Sequence, residues 1–160
     1  MREAIAKAGK NLTDITIRDL AIEGNTRTDP GSDPNSTRSY RSTANRGGII
    51  LLANEGETNR RISLINVTVR NCTYNGVFIN NSSDVIIKDC DFGENGSNVV
   101  PGPRLQHNLL LTHCNNVSVA GCRLVNSPYG SGVAIDKCNS IEVSNSEISR
   151  NGYYGVVIME

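Results

Sequence analysis

Five stretches of this chain share one short pattern: apolar, any, apolar, any, then Asn, Asp or Gly, and an apolar residue three places further on. They read ITIRDLAI (15–22), VTVRNCTY (67–74), VIIKDCDF (85–92), VSVAGCRL (117–124) and IEVSNSEI (141–148). Shorter apolar runs follow: GIIL (48–51), GVFI (76–79), NLLL (108–111), GVAI (132–135) and GVVI (155–158). Alternation of this kind reads as half-buried strands. A pattern written five times constrains the fold closely, because each copy must solve the same burial problem in the same way.

The fifth position holds Asp19, Asn71, Asp89, Gly121 and Asn145. These residue types enter the left-handed backbone region at least cost, so each segment is expected to bend at the same point. The next column is Leu20, Cys72, Cys90, Cys122 and Ser146, and Cys114 and Cys138 share another. Stacked small inward side chains account for the cysteines as buried thiols, with disulfides between adjacent turns (Cys72–Cys90 or Cys114–Cys138) as the alternative. Segment starts at 15, 67, 85, 117 and 141 give steps of 52, 18, 32 and 24 residues. A constant core with variable steps means insertions in loops. The reading is an all-β, single-stranded parallel solenoid of about five coils, stacked about 4.8 Å apart. A single domain over 1–160 is expected, and the mid-pattern start and end inside a strand lead us to expect a segment of a longer chain.

Composition removes several classes. Sixteen basic and sixteen acidic residues balance, and no basic run is interleaved with aromatics, so nucleic acid is not an expected partner. No apolar run approaches the roughly 18 residues of a membrane helix, and no membrane partner is expected. The first residues lack the apolar core of a signal peptide. No CxxC occurs among the five cysteines, so neither a zinc nor a thioredoxin pattern is present.

The units NNVSVAGCRLVN…GSGVAI and NSIEVSNSEISRNGYYGVVI resemble the right-handed parallel β-helix repeats of the pectate-lyase-like superfamily. The resemblance covers about residues 11–160. It implies the right hand, in agreement with the crossover rule for parallel strands. It also implies a place among polysaccharide lyases, polygalacturonases, epimerases and phage tailspikes, secreted or at a cell surface.

The insertions 25–46 and 93–107, together with NSPYGS (126–131) and SRNGYY (149–154), all fall between a long segment and the short strand after it. One edge of a rigid scaffold therefore carries the variable loops, where binding and catalysis usually sit. Tyr40, Tyr129, Tyr153 and Tyr154 lie there with Arg27, Arg38, Arg41, Arg46, Arg104, Arg150 and His107, whereas Tyr74 is expected to pack in the inward column of Ile22, Phe92, Leu124 and Ile148. Aromatic rings stack on sugar faces and guanidinium forks hold carboxylates, which suits an acidic polysaccharide. No Asp or Glu stands at the positions equivalent to His107 (Gly47, Asn75, Ser131 and Tyr154), so two-carboxylate hydrolysis is poorly supported. A lyase needs a cation to neutralise the uronate and a base: Arg104 or Arg46 for the first, His107 or Tyr129 for the second. Lys137, in a ladder with Asn81, His113 and Glu160 and beside Asp136, is a further candidate base. The catalytic candidates are thus Arg104, His107, Tyr129 and Lys137; the substrate-binding candidates are Arg46, Tyr153, Tyr154, Arg150 and Asp136.

The leading expectation is binding and lyase-type processing of an extracellular acidic polysaccharide; the alternative is a non-catalytic adhesin, tailspike-like or assembly solenoid. No metal or other cofactor is required, although DPGSDPN (29–35) offers oxygens to calcium. Ile50, Phe78, Leu110, Ala134 and Val157 are expected to form an outward apolar stripe through which copies could associate.

Overall fold

The computed structural model describes residues 5–9, 11–24, 47–96 and 106–160. Fourteen strands and no helix occur among them, and every strand pairing is parallel. One sheet stacks β1 (Ile5–Gly9), β3 (Ile49–Ala53), β5 (Val77–Asn80), β8 (Leu109–Thr112), β11 (Val133–Asp136) and β14 (Val156–Met159) in that order. The other has two wings. Its first wing holds β6 (Ser82–Lys88), β9 (Asn115–Ala120) and β12 (Asn139–Ser144); its second holds β7 (Asp91–Gly93), β10 (Arg123–Val125) and β13 (Glu147–Ser149). The long strands β2 (Thr13–Glu23) and β4 (Asn59–Arg70) run through both wings. Each coil is therefore a short strand, a corner, the first wing, a bend, the second wing, and a last corner of variable length.

Alternation decides what fills the interior. Ile49, Leu51, Val77, Ile79, Leu109, Leu111 and Val133 of the short strands meet Ile62, Leu64, Val85, Ile87, Val117 and Val119 of the first wing and Val69, Phe92 and Leu124 of the second, all at most 2% exposed. Each such side chain contributes about 1.5–3 kcal/mol on burial, and the columns repeat because each coil covers the one before.

The bends follow the left-handed backbone. Asp19, Asn66, Asp89, Gly121 and Asn145 form one column, with φ from 48° to 65°. This corrects the alignment of the second segment. Ile15 pairs with Ile62 and Ile62 with Val85, so the repeat there is ISLINVTV (62–69), with Asn66 and not Asn71 at the bend. Hydrogen bonds between equivalent positions accordingly span 47 residues (Asn66 to Asp19) and 23 residues (Cys72 to Asn95), close to one coil for the second step. Asn71 is also left-handed, at φ 54°, but it opens the variable corner together with Glu94, Asn126 and Arg150. Val67 takes the place expected for Cys72, and Val69 the inward place expected for Tyr74, which is buried instead beyond the corner. The short-strand sheet also gains β1, whose alanine- and lysine-containing IAKAG carries no repeat signal.

The stripe Ile50, Phe78, Leu110, Ala134 and Val157 does face away from the core, but it is not an exposed surface. Ile50, Leu110 and Ala134 are buried, and Phe78 and Val157 are half-buried. The large apolar patch that would favour association of copies through this face is therefore absent at those positions.

Where the chain leaves a sheet, side chains replace the lost ladder bonds. After a left-handed residue, the next side chain reaches back to the carbonyl two residues earlier: Ser82 to Asn80 at 2.9 Å, Cys114 to Thr112 at 3.3 Å, and Ser146 to Ser144 at 2.8 Å. The same atom accepts an N–H from the preceding coil, Cys122 N–H to Ser146 Oγ at 3.0 Å and Cys114 N–H to Cys138 Sγ at 3.2 Å. At the variable corner asparagine does this work. Fully buried Asn95 accepts Cys72 N–H (3.0 Å) and donates to Val69 C=O (2.9 Å); Asn151 accepts Ser127 N–H (3.0 Å) and donates to Leu124 C=O (3.0 Å). Asn95→Leu should leave two buried backbone groups unpaired and cost roughly 2–5 kcal/mol. Urea denaturation would read this as a lowered midpoint; a loss below about 1 kcal/mol would show that the corner does not need the amide.

Candidate functional site

The variable corner gathers residues from successive coils because its loops are laced together by backbone. Gly152 N–H donates to Ser127 C=O (2.7 Å), Tyr153 N–H to Gly130 C=O (2.9 Å), and Gly132 N–H to Tyr154 C=O (3.0 Å). Gly152 must be glycine for this approach, since a Cβ there would stand 2.0 Å from the Pro128 carbonyl oxygen. Loops 126–131 and 149–154 therefore lie one upon the other. They present Tyr129, Tyr153 and Tyr154, each about half exposed. The rings of Tyr153 and Tyr154 are 4.2 Å apart between centroids and tilted by 57°. Interaction with the Tyr154 side chain raises the Tyr153 pKa, so the Tyr153 hydroxyl is harder to ionise.

His107 is held just behind this surface, 2% exposed. Its backbone N–H donates to Asn75 Oδ1 (2.8 Å), and its ring Nδ1 accepts the Ser131 backbone N–H (3.0 Å). That bond assigns the ring proton to Nε2, so proton abstraction through Nδ1 would first have to release Ser131. Arg150 stands at the rim with φ 53°. Its Nε donates to Asn126 Oδ1 (3.0 Å) and its guanidinium pairs with Glu147 at 3.5 Å. Glu147 is held below its ordinary pKa, first by the Ser149 hydroxyl and then by Arg123 and Arg150. Arg104, Arg46, Arg27, Arg38, Tyr40, Arg41 and the calcium-type turn 29–35 lie outside the described residues.

At the opposite end of the short strands, Asn80, Thr112, Asp136 and Met159 form a column, as expected for the first three. Asn80 Nδ2 donates to Thr112 Oγ1 at 2.7 Å. Asp136 is completely buried on the outward side of the sheet. Lys137 beside it is exposed and left-handed at φ 52°, in line with Asn81 and His113. The structure thus brings Tyr129, Tyr153, Tyr154, Arg150 and His107 to one corner and leaves Lys137 and Asp136 a strand's length away, about 13 Å at 3.3 Å per residue.

The sequence reading missed a second feature. A shallow groove of about 470 Å³ lies on the outward face of the first wing, lined by Arg61, Ser63, Asp84, Val85, Ile86, Asn116 and Ser118. Ile86, an apolar residue on an outward position of VIIK, is half exposed at its floor. That break in alternation was the available signal. Arg61 forks onto Asp14 (2.6 and 2.8 Å), and Asn116 donates to Asp84 (2.8 Å), so the rim is already internally paired. Among the described residues, no group of three or more His, Cys, Asp or Glu side chains is arranged to hold a metal ion.

The model for the right-handed β-helix region matches residues 10–160, and the chain belongs to this family. The stacked parallel coils are what that family defines. No curated protein and no solved structure is similar enough to match.

Removing the His107 ring should leave the buried Ser131 N–H without its acceptor. His107→Ala is expected to lower stability by about 1–3 kcal/mol. His107→Asn, whose Oδ1 falls where Nδ1 does, should restore a large part of that loss in the same denaturation experiment. Equal loss in both variants would refute the acceptor role.

Proposed function

We propose that this chain binds an extracellular acidic polysaccharide along its variable corner and cleaves it by a lyase-type reaction. The observation that carries this reading is the exposure of three tyrosines on two stacked loops, at the corner where the coils differ most. Rings held at 4.2 Å and tilted offer a stepped apolar surface for sugar faces. The cations of the long insertions, Arg46 and Arg104, would neutralise uronate carboxylates, assisted by Arg150 at the rim. Tyr129 is the candidate base most open to a substrate, because the His107 lone pair is committed to Ser131. Lys137, exposed at the far end of the short strands, would then contact sugars further along the chain, whereas the complete burial of Asp136 removes it from the substrate-binding candidates. The protein would work outside the cell or at its surface.

The ties on His107 and Arg150 favour one second reading, a non-catalytic binding solenoid of the adhesin or tailspike type. The two separate cleanly. Incubation with a panel of polyuronates should give unsaturated products seen by ultraviolet absorbance, and Tyr129→Phe should abolish them while leaving binding within about twofold. Tyr153→Ala and Tyr154→Ala should each weaken binding by roughly 1–3 kcal/mol, on the scale of a stacked base or ring. Binding without cleavage of any polyuronate would support the second reading. New reducing ends without absorbance would replace the lyase by a hydrolase, and absence of binding would overturn both.

A further inference from the structure

The first wing breaks its outward pattern at one residue, and the surface there is hollowed. Its outward column reads Thr16, Ser63, Ile86, Ser118 and Glu142, in register across five coils. Ile86 is the apolar member and is 49% exposed. A single exposed isoleucine needs no explanation by itself. This one floors the outward groove, whose volume of about 470 Å³ lies within the range of small-molecule sites. The groove crosses β4, β6 and β9 on the side of the stack, with β2 and β12 flanking it. Its opening therefore does not come from an uncovered end of the solenoid.

The walls follow from the same repeat. Arg61, Asp84 and Asn116 turn the chain into the wing with φ of 53°, 56° and 56°, and they line the groove beside the outward column. Ser63 and Ser118 stand on either side of Ile86, half-buried. Their hydroxyls carry no hydrogen bond among the described residues. A strand spacing of about 4.8 Å sets these two serines about 10 Å apart along the stack, the span of a disaccharide.

Charge selects the ligand. Arg61 is held by both carboxylate oxygens of Asp14, at 2.6 and 2.8 Å. This pairing is the main reason that the Asp14 pKa falls to about 2, so the guanidinium stays engaged at neutral pH. Asp84 Oδ1 accepts from Asn116 Nδ2 at 2.8 Å. An anionic ligand would meet a guanidinium already taken and the like charge of Asp84. A flat aromatic ligand would find no ring to stack on, since none lines the groove. A neutral ligand with one apolar face and many hydroxyls fits. Serine hydroxyls and the Asn116 amide donate and accept, and Asp84 accepts.

We propose that this groove is a second carbohydrate site, for a neutral oligosaccharide lying along the stack. The CH face of one pyranose rests on Ile86, and sugar hydroxyls bond to Ser63, Ser118 and the Asp84–Asn116 pair. The site goes beyond the acidic ligand read at the variable corner and does not require it. The two surfaces lie on different faces of the coil and differ in the charge they accept. A protein so equipped holds a neutral chain on its flank while the corner engages an acidic one.

Amide chemical shifts of the folded chain, followed during titration with cellotetraose, xylotetraose and maltotetraose, test this directly, with tetragalacturonate as the acidic control. Saturable changes at 61–63, 84–86 and 116–118 are expected with at least one neutral sugar, and none there with the uronate. Ile86→Arg, at an outward position that adds nothing to the core, should fill the groove and weaken that binding by about tenfold or more. Ser63→Ala combined with Ser118→Ala should weaken it by about fivefold or more. No saturable change at these amides with any of the three neutral sugars, equal binding of the uronate there, or binding that survives Ile86→Arg would each overturn the proposal. Changes at the same amides on raising protein concentration without sugar would assign the groove to a second copy and overturn it as well. The wild-type titrations stand even if a variant folds poorly.

Discussion

A chain that turns several times per coil must find partners for the peptide groups that leave the sheet at each turn. The rest of this structure depends on how that is met. Two side-chain devices recur: a left-handed residue that swings the backbone round, and a side chain that accepts an N–H from the coil before, a hydroxyl or thiol donating to a carbonyl of its own turn and an amide to one of the preceding coil. An unpaired buried peptide group costs about 1–3 kcal/mol, so several left unmet in each coil would exceed the stability of a typical domain. The apolar columns supply the drive to stack, and the corners make stacking compatible with full hydrogen bonding.

The same arrangement separates scaffold from site. Two of the turns in each described coil are short, the longest being residues 54–58 between β3 and β4. The third joins the second wing to the short strand and tolerates insertion. Its base is tied down by Asn95, Asn108, Ser127 and Asn151, which bond across three coils. A loop seated on such a network can carry Tyr129, Tyr153 and Tyr154 to solvent in a defined relation. The exposed rings at this corner therefore rest on buried amides.

Much of this was legible in the residues. Period-two apolar runs disclosed the strands, and the Asn, Asp or Gly at each fifth position disclosed the bend. The variable corner stood out because NSPYGS and SRNGYY break the columnar pattern. The slip in the second segment has a physical cause: Asn66 and Asn71 are both left-handed, and each follows an apolar alternation, so only pairing with neighbouring coils separates them. The burial of Ile50, Leu110 and Ala134 could not be read from alternation, which assigns a side chain to a face but not what lies over that face. Nor could the committed lone pair of His107, since its partner Ser131 is 24 residues away and meets it only through the stack.

Backbone amide chemical shifts followed during titration with an acidic oligouronide would test most directly that the varying corner holds the ligand. The account predicts that the largest changes cluster at 126–131 and 149–155, with little change at the corners of Ser82, Cys114 and Cys138. Changes centred instead on Ser63, Ile86 and Ser118 of the outward groove, or none at saturating sugar, would contradict it.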